Sequence, residues 1–318
     1  MCGIAGIFDL REKRPVDMGL LKRITRSLEH RGPDGEGYHS EAGVGLGHRR
    51  LAIIDLEGGK QPLFNEDESI AVSYNGEIYN FAPLQKELEA RGHAFRTRCD
   101  TEVIVHAWEE WGEACVERFN GMFAFAIWDR NKECLFLARD RIGIKPLYYS
   151  VTRDGYLVFA SELKAILAHP AVNRDIRSDA VEDYFAFGYV PDPKTILTSA
   201  WKLPPGHTLV IGRNETLPKP RQYWDISFGE PLSDDVNLDE EIVDRLRASV
   251  DRRLIAEVPL GAFLSGGVDS STIVALMAQL ATGAVKTTSI SFGDPAYNES
   301  QFAKMVADQY QTEHRVRQ

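Results

Sequence analysis

Along the first two thirds of the chain, apolar residues gather in short runs broken by Gly and Pro, and few stretches carry the three-to-four-residue period of an amphipathic helix. Residues 4–9, 43–48, 70–74, 123–128, 135–139 and 157–160 therefore predict strands, while 84–91 and 101–111 predict helices. Several strand runs are apolar at consecutive positions, as in Phe123-Ala124-Phe125-Ala126-Ile127-Trp128. Such a strand is buried on both faces. From Met1 to about Ile211 the pattern thus predicts an α+β sandwich of sheets flanked by helices.

Between Arg213 and Asp239 the periodicity fades into Pro218, Pro220, Gly229, Pro231 and the acidic pair Asp234-Asp235, which marks a domain boundary. The expected organisation is a first domain over 1–212, a linker over 213–238 and the beginning of a second domain over 239–318. In the last stretch Ile242, Leu246 and Val250 mark one helix face, 258–264 reads as a buried strand, 270–281 as a helix, 286–292 as a strand and 299–310 as a helix. This alternation is that of a doubly wound parallel α/β sheet. Only its opening is expected here, with an unpaired edge and an incomplete core, because the chain ends where another strand is due.

Composition narrows the function. With 318 residues and 43% hydrophobic residues the chain is long enough for two packed domains, and a net charge of −10 argues against a nucleic-acid partner. Cys2, Cys99, Cys115 and Cys134 lack the paired spacing of zinc or redox sites, and His30 and His48 have no metal-like partners, so no metal ligand set is expected. The charged run Arg11-Glu12-Lys13-Arg14 follows the apolar N-terminus rather than preceding it, and no apolar run reaches bilayer-spanning length. A reducing cytoplasm, with no membrane partner, is the expected location.

The candidate chemistry begins at Met1-Cys2-Gly3-Ile4. Loss of Met1 would leave Cys2 with a thiol nucleophile and a free α-amine, whose ordinary pKa of about 8 suits it to take the thiol proton near neutral pH. Three further stretches set polar groups among apolar ones: His48-Arg49-Arg50-Leu51-Ala52-Ile53-Ile54-Asp55, Asn75-Gly76-Glu77-Ile78-Tyr79-Asn80 and Cys99-Asp100-Thr101-Glu102. Taken singly, Asn75-Gly76 also suits a hairpin turn and Asp100-Thr101 a helix cap.

Together with the N-terminus these stretches resemble the glutaminase domain of the asparagine synthetase B family, an N-terminal-nucleophile sandwich of αββα layering. The resemblance extends through His30-Arg31-Gly32-Pro33-Asp34-Gly35, residues 121–125 and 138–148, and Ser161-Glu162-Leu163-Lys164. It implies that Cys2 attacks the side-chain amide of glutamine and that Arg50 grips the α-carboxylate. Asp100 would hold the ammonium with Glu77 alongside, and Leu51, Ala52, Ile53 and Ile54 would supply backbone contacts. The Asn75 side chain and the Gly76 N–H would stabilise the oxyanion. Arg49 is expected at the surface or in support of the pocket, and Cys99, Cys115 and Cys134 in packing.

A second motif, Phe263-Leu264-Ser265-Gly266-Gly267-Val268-Asp269-Ser270-Ser271, follows a strand and opens a helix, where backbone N–H groups and the helix dipole favour a phosphate. It is similar to the pyrophosphate loop of ATP pyrophosphatases, which cleave ATP to AMP and pyrophosphate. That resemblance assigns ATP to Leu264, Ser265, Gly266, Gly267, Asp269, Ser270, Ser271 and Phe292, with Leu264 and Phe292 on the adenine side. No Gly-Lys-Ser/Thr sequence occurs, which argues against a Walker-type site. The plain alternative is a turn with Asp269 capping the helix.

The combined reading is a glutamine-hydrolysing asparagine synthetase. Ammonia from glutamine attacks an aspartate side chain adenylated by ATP, Mg2+ accompanies the triphosphate, and a homodimer is among the expected assemblies. The present chain is expected to carry out only glutamine hydrolysis. Residues 184–191 and 202–207 also resemble exosortase-associated amidotransferases, which suggests another acceptor in exopolysaccharide synthesis. A non-catalytic glutamine-sensing or assembly subunit is the alternative from a different class.

Overall fold

The apolar runs of the first half become strands whose alternate residues enter different cores. The computed structural model describes residues 1–229 and 236–318, which divide into a unit over Met1–Ser227 and another over Phe228–Gln318. In chain order the first holds β1 (Gly3–Asp9), α1 (Met18–Arg26), β2 (Gly35–Glu41), β3 (Val44–Arg50), β4 (Leu63–Phe64), β5 (Ile70–Ile78), α2 (Phe81–Ala90), α3 (Glu102–Trp111) and α4 (Cys115–Arg118). There follow β6 (Gly121–Asp129), β7 (Cys134–Arg139), β8 (Tyr148–Val151), β9 (Tyr156–Ala160), α5 (Leu163–Ile166), α6 (Ser178–Phe187), β10 (Ala200–Lys202), β11 (His207–Ile211) and β12 (Arg221–Gln222).

Among the described residues these strands form two six-stranded sheets, ordered β10-β8-β9-β1-β3-β2 and β12-β11-β7-β6-β5-β4. Ile4 and Phe8 of β1 meet Ala124, Ala126 and Trp128 of β6 in the core between them. The intervening Ala5 and Ile7 share a second core with Leu21 and Ile24 of α1, and Phe123, Phe125 and Ile127 share a third with Val103 and Trp108 of α3. Helices therefore cover both outer faces, the αββα layering. Each fully buried Phe contributes roughly 1.5–3 kcal/mol, which explains why so many consecutive apolar residues are kept.

The first unit continues past Gly212 into the segment expected as linker. Thr208 pairs with Arg221 in the β11–β12 ladder, and the Tyr223 hydroxyl donates to the Arg139 carbonyl at 2.9 Å. These bonds hold the segment to the sheet. Residues 230–235, within that expected linker, lie outside the described residues.

The second unit holds α7 (Leu238–Asp251), β13 (Gly261–Phe263), α8 (Val268–Leu280), β14 (Lys286–Ile290), α9 (Ser300–Gln309) and β15 (Glu313–Arg317). Its strands pair in parallel in the order β13-β14-β15. Two expectations need correction. The strand due after the last helix is present as β15. The buried strand over 258–264 is instead a three-residue edge strand, because Pro259 has no N–H for a ladder, and its Phe263 is exposed. On α7 only Val250 is buried, and Leu246 is partly so. Ile242 lies in solvent.

Candidate functional site

β5 outruns its neighbour. β4 pairs with Val72 and Ala71 only, so further along β5 the ladder groups on that side must find other partners. Side chains supply them. Gln61 Oε1 accepts the Tyr74 N–H at 2.7 Å, His48 Nε2 bonds the Tyr74 carbonyl at 3.0 Å and Asp100 Oδ2 accepts the Ile78 N–H at 2.9 Å. By the alternation of an antiparallel strand the Gly76 N–H faces this same open side. A Cβ at Gly76 would sit 2.2 Å from the Met122 carbonyl oxygen, so the close approach of β6 requires glycine.

Here a cavity of about 190 Å³ is lined by Cys2, Arg50, Asn75, Gly76, Glu77 and Asp100, with Leu51, Ile53 and Ile54 on its wall. Four separate stretches of sequence are thereby brought together. Ala52 is not: it stands outside the lining, and its N–H donates to Asp34 at 2.9 Å. Asn75 is 1% exposed, yet neither its amide nitrogen nor its oxygen has a hydrogen-bond partner. An unsatisfied buried amide is costly, and a ligand with a polar atom at that point would satisfy it. Asn75 and Gly76 lie inside β5, paired with Ala124 and Phe123, which rules out the hairpin alternative. Asp100 does not cap α3 either. Its Oδ2 accepts the Tyr74 O–H at 2.7 Å, and the cap residue Thr101 makes no side-chain cap bond.

Cys2 stands just before β1, the strand flanked by β9 and β3 in its sheet. Its sulfur lies 3.4 Å from the Leu51 nitrogen and 3.6 Å from the Leu51 oxygen. Arg31 Nε donates to the Cys2 carbonyl at 2.9 Å, and its Nη1 donates to Glu162 at 2.9 Å. Burial pushes the Cys2 thiol up, against the opposing pull of the Leu51 N–H and the N-terminal amine. The resting group is therefore a thiol that needs a base. Burial also pushes the Asp100 carboxyl up to about 6, although the Ile78 and Tyr74 donors hold it down. Arg50 is steadied by the carbonyls of Leu56 at 2.9 Å and Asp55 at 2.5 Å.

Several residues that support the pocket carried no assigned role in the sequence reading: Arg31, Gln61, Tyr74 and Lys145. Lys145 is buried in the pocket wall, and that burial lowers its pKa while the charge of Glu77 opposes the shift. Arg31 and Lys145 lie in stretches already singled out, whereas Gln61 and Tyr74 gave no signal beyond being polar next to apolar runs. Arg49 is buried rather than at the surface and ties Gly32 to Glu36 with bonds of 3.0 Å each. Cys115 and Cys134 are packed in the core beside α3, while Cys99 also borders the cavity.

In the second unit a cavity of about 370 Å³ at the C-terminal ends of β13 and β14 is lined by Leu264, Ser265, Ser270 and Phe292 among others. Ligands of open α/β sheets bind at such strand ends. Gly266, Gly267, Asp269 and Ser271 lie on the adjoining loop and first helical turn rather than in the lining. Gly266 has φ +88°, and a Cβ there would meet the Ala303 nitrogen at 2.5 Å. Gly267, not Asp269, occupies the cap position of α8. The Ser265 and Ser270 hydroxyls are 3.0 Å apart.

The sandwich, with a cysteine and an orphaned amide at one cavity, defines the class: the chain belongs to the glutamine amidotransferase domain family, whose pattern matches residues 1–224. Residues 241–318 match the asparagine synthase family. Asparagine synthetase [glutamine-hydrolyzing] 1 of Bacillus subtilis is 38% identical over 314 residues, covering 96% of this chain and 48% of that protein. Asparagine synthetase [glutamine-hydrolyzing] 2 of Arabidopsis thaliana is 37% identical over 278 residues, covering 87% and 42%. The chain thus spans about half the length of these relatives. The fold is shared with glutamine phosphoribosylpyrophosphate amidotransferase of B. subtilis, at TM-score 0.52 and 18% identity over 99% of this chain and 65% of that one. Among the described residues no helix is long and apolar enough to cross a membrane.

Proposed function

We propose that the first unit hydrolyses glutamine on Cys2 and that the protein uses the ammonia for ATP-dependent synthesis of asparagine. The observation that carries this reading is the buried Asn75 amide, unpartnered and facing the cavity that also holds Cys2, Arg50 and Asp100. Arg50 takes the α-carboxylate of glutamine and Asp100, with Glu77, takes the ammonium, which sets the side-chain amide beside the sulfur. After loss of Met1 the Cys2 amine accepts the thiol proton, and the sulfur adds to the amide carbon. The Asn75 amide and Gly76 N–H receive the negative oxygen. The C–N bond then breaks, the amine returns its proton to the departing ammonia, and water cleaves the glutamyl thioester to glutamate and free thiol.

In the second unit Leu264 and Phe292 would flank the adenine, and the loop Ser265-Gly266-Gly267 with the first turn of α8, Asp269, Ser270 and Ser271, would receive the phosphates. Asp269 and the Ser265 and Ser270 hydroxyls are oxygen donors suited to Mg2+ entering with the triphosphate. Adenylation by ATP releases pyrophosphate and converts the aspartate carboxylate into an acyl-adenylate, which ammonia attacks to give asparagine and AMP. The names of the relatives favour aspartate over an exopolysaccharide acceptor. On this reading the first unit, Met1–Ser227, is the glutaminase domain and a synthetase segment runs from 239 onward, in a cytoplasmic protein that forms a homodimer. The test is release of glutamate and ammonia from glutamine by untagged protein, with an intact-mass check for loss of Met1. Release that disappears in Cys2→Ala supports the proposal, and no release from processed, folded protein contradicts it.

A further inference from the structure

Apart from the glutamine cavity, Glu66, His93, His106 and Glu109 of the first unit each bring one ligand-type atom into a cluster, and these atoms all lie within 4.8 Å of one another. They come from three places: the turn between β4 and β5, the residues just after α2, and successive turns of α3. His106 Nδ1 is 3.1 Å from Glu109 Oε2 and 3.5 Å from Glu66 Oε2, and His93 Nδ1 is 3.6 Å from Glu109 Oε2. Bonds of about 2.0–2.1 Å at the tetrahedral angle place neighbouring ligand atoms about 3.3 Å apart. The three distances bracket that value, and two are too long for direct hydrogen bonds.

The other oxygen of each glutamate is already engaged. Glu66 Oε1 accepts the Ala94 N–H at 2.8 Å, and Glu109 Oε1 accepts from the buried Asn65 amide at 2.8 Å. His93 Nε2 faces Glu110 at 3.5 Å, and His106 Nε2 faces Glu102 at 3.7 Å. A carboxylate thus lies behind the far nitrogen of each imidazole, the position from which metal-binding histidines are oriented once the two close to hydrogen-bond distance, while the buried His106 Nε2 has no hydrogen-bond partner. His106 is fully buried, with Phe95 against its ring at 4.5 Å between centroids. With Glu102 and Glu110 included, four carboxylates surround two imidazoles, an excess of negative charge that a divalent cation offsets.

We propose that Glu66, His93, His106 and Glu109 form a zinc site. The mixed imidazole and carboxylate donors suit Zn2+ over Ca2+ or Mg2+. Four protein ligands leave no open position, so the role is structural: the ion ties the β4–β5 turn and the end of α2 to α3. The same helix start carries Glu102, whose carboxylate accepts the Arg96 and Thr97 N–H groups at 2.7 Å each, so the ion also braces the segment that leads into Asp100.

The test uses the full chain, stripped with a chelator, dialysed and titrated with ZnCl2 against a chromophoric competitor, with thermal unfolding measured beside it. One equivalent binds tightly and raises the melting temperature. His93→Gln and Glu66→Gln, whose partly exposed side chains let the fold survive, each weaken binding by at least about 100-fold, and Glu110→Gln weakens it by about 10-fold. Cys2→Ala retains the full equivalent, which separates the site from adventitious thiol binding. Folded protein that takes up no zinc overturns the proposal and leaves the cluster an ion-pair network. Binding that survives both ligand variants, or that is lost in Cys2→Ala, overturns it as well.

Discussion

The two units hold their candidate sites in different ways. In the first, Asp100 and Arg50 are set by bonds to the surrounding frame, Tyr74 to Asp100, Gln61 to Tyr74, and the Leu56 and Asp55 carbonyls to Arg50, and Asn75 is fixed by its place inside β5. In the second, the loop is exposed and is fixed by short-range bonds among Ser265, Gly267 and Ser270, beside a three-stranded sheet whose Phe263, Ile290 and Phe292 face solvent. The contrast suits the ligands proposed for the two sites. A zwitterion and a neutral amide must be read by several side chains at once, which demands a prebuilt pocket, whereas a phosphate is received by backbone N–H groups at a helix start.

Substitutions sharpen this contrast. The largest effect is expected from Cys2→Ala, which removes the nucleophile: glutamine hydrolysis falls by at least about 1,000-fold while thermal stability is unchanged. Next comes Asn75→Ala. Loss of an oxyanion donor lowers kcat by about 100- to 1,000-fold, and KM moves little. Steady-state kinetics distinguishes this from a folding defect, which would lower the active fraction without selectivity.

Asp100 gives a third prediction. Its carboxyl, raised to about 6, takes up a proton below that pH and no longer pairs with an ammonium. The kcat/KM for glutamine therefore falls about tenfold per unit below pH 6. The stability term has the opposite sign. A folded value above the ordinary 3.8 contributes stability fully below pH 3.8, and this contribution is lost as pH rises through about 6. Asp100→Asn thus melts no lower than the parent at pH 8 but raises KM by at least about tenfold. A lower melting temperature in that variant would place Asp100 in stability rather than binding.

The smallest effect distinguishes the units. Gly266→Ala forces a side chain onto a left-handed residue 2.5 Å from the Ala303 nitrogen. It costs the second unit about 1–2 kcal/mol and weakens ATP binding, while glutamine hydrolysis in the first unit is unaffected. Loss of both activities together would show the two units to be energetically linked.

The strands were legible where burial on both faces left unbroken apolar runs, as in β6 and β7. Those with one open face or only a few residues, β2, β8, β10 and β12, left no run to read. α1 did carry Leu21 and Ile24 at helical spacing, but within a strongly charged stretch. In the site, Cys2, Arg50, Asn75 and Asp100 stood out because their neighbours matched a family pattern. Gln61 and Tyr74 did not, since Gln61 finishes the open side of β5, which exists only once β4 stops short, and Tyr74 acts by donating its hydroxyl to Asp100 across the fold. The cluster at His93 and His106 was equally illegible: its ligands are spread over 44 positions from Glu66 to Glu109 and meet only through the packing of α2 and α3.

The central claim is that the buried Asn75 amide and the Cys2 thiol act on one glutamine amide. The most direct measurement is intact-mass spectrometry of protein mixed with glutamine and quenched in acid within the first turnovers. A glutamyl thioester on Cys2, absent from Cys2→Ala and strongly reduced in Asn75→Ala, is the predicted result. Glutamate formed without any adduct on Cys2, or at the parent rate in Cys2→Ala, would contradict it.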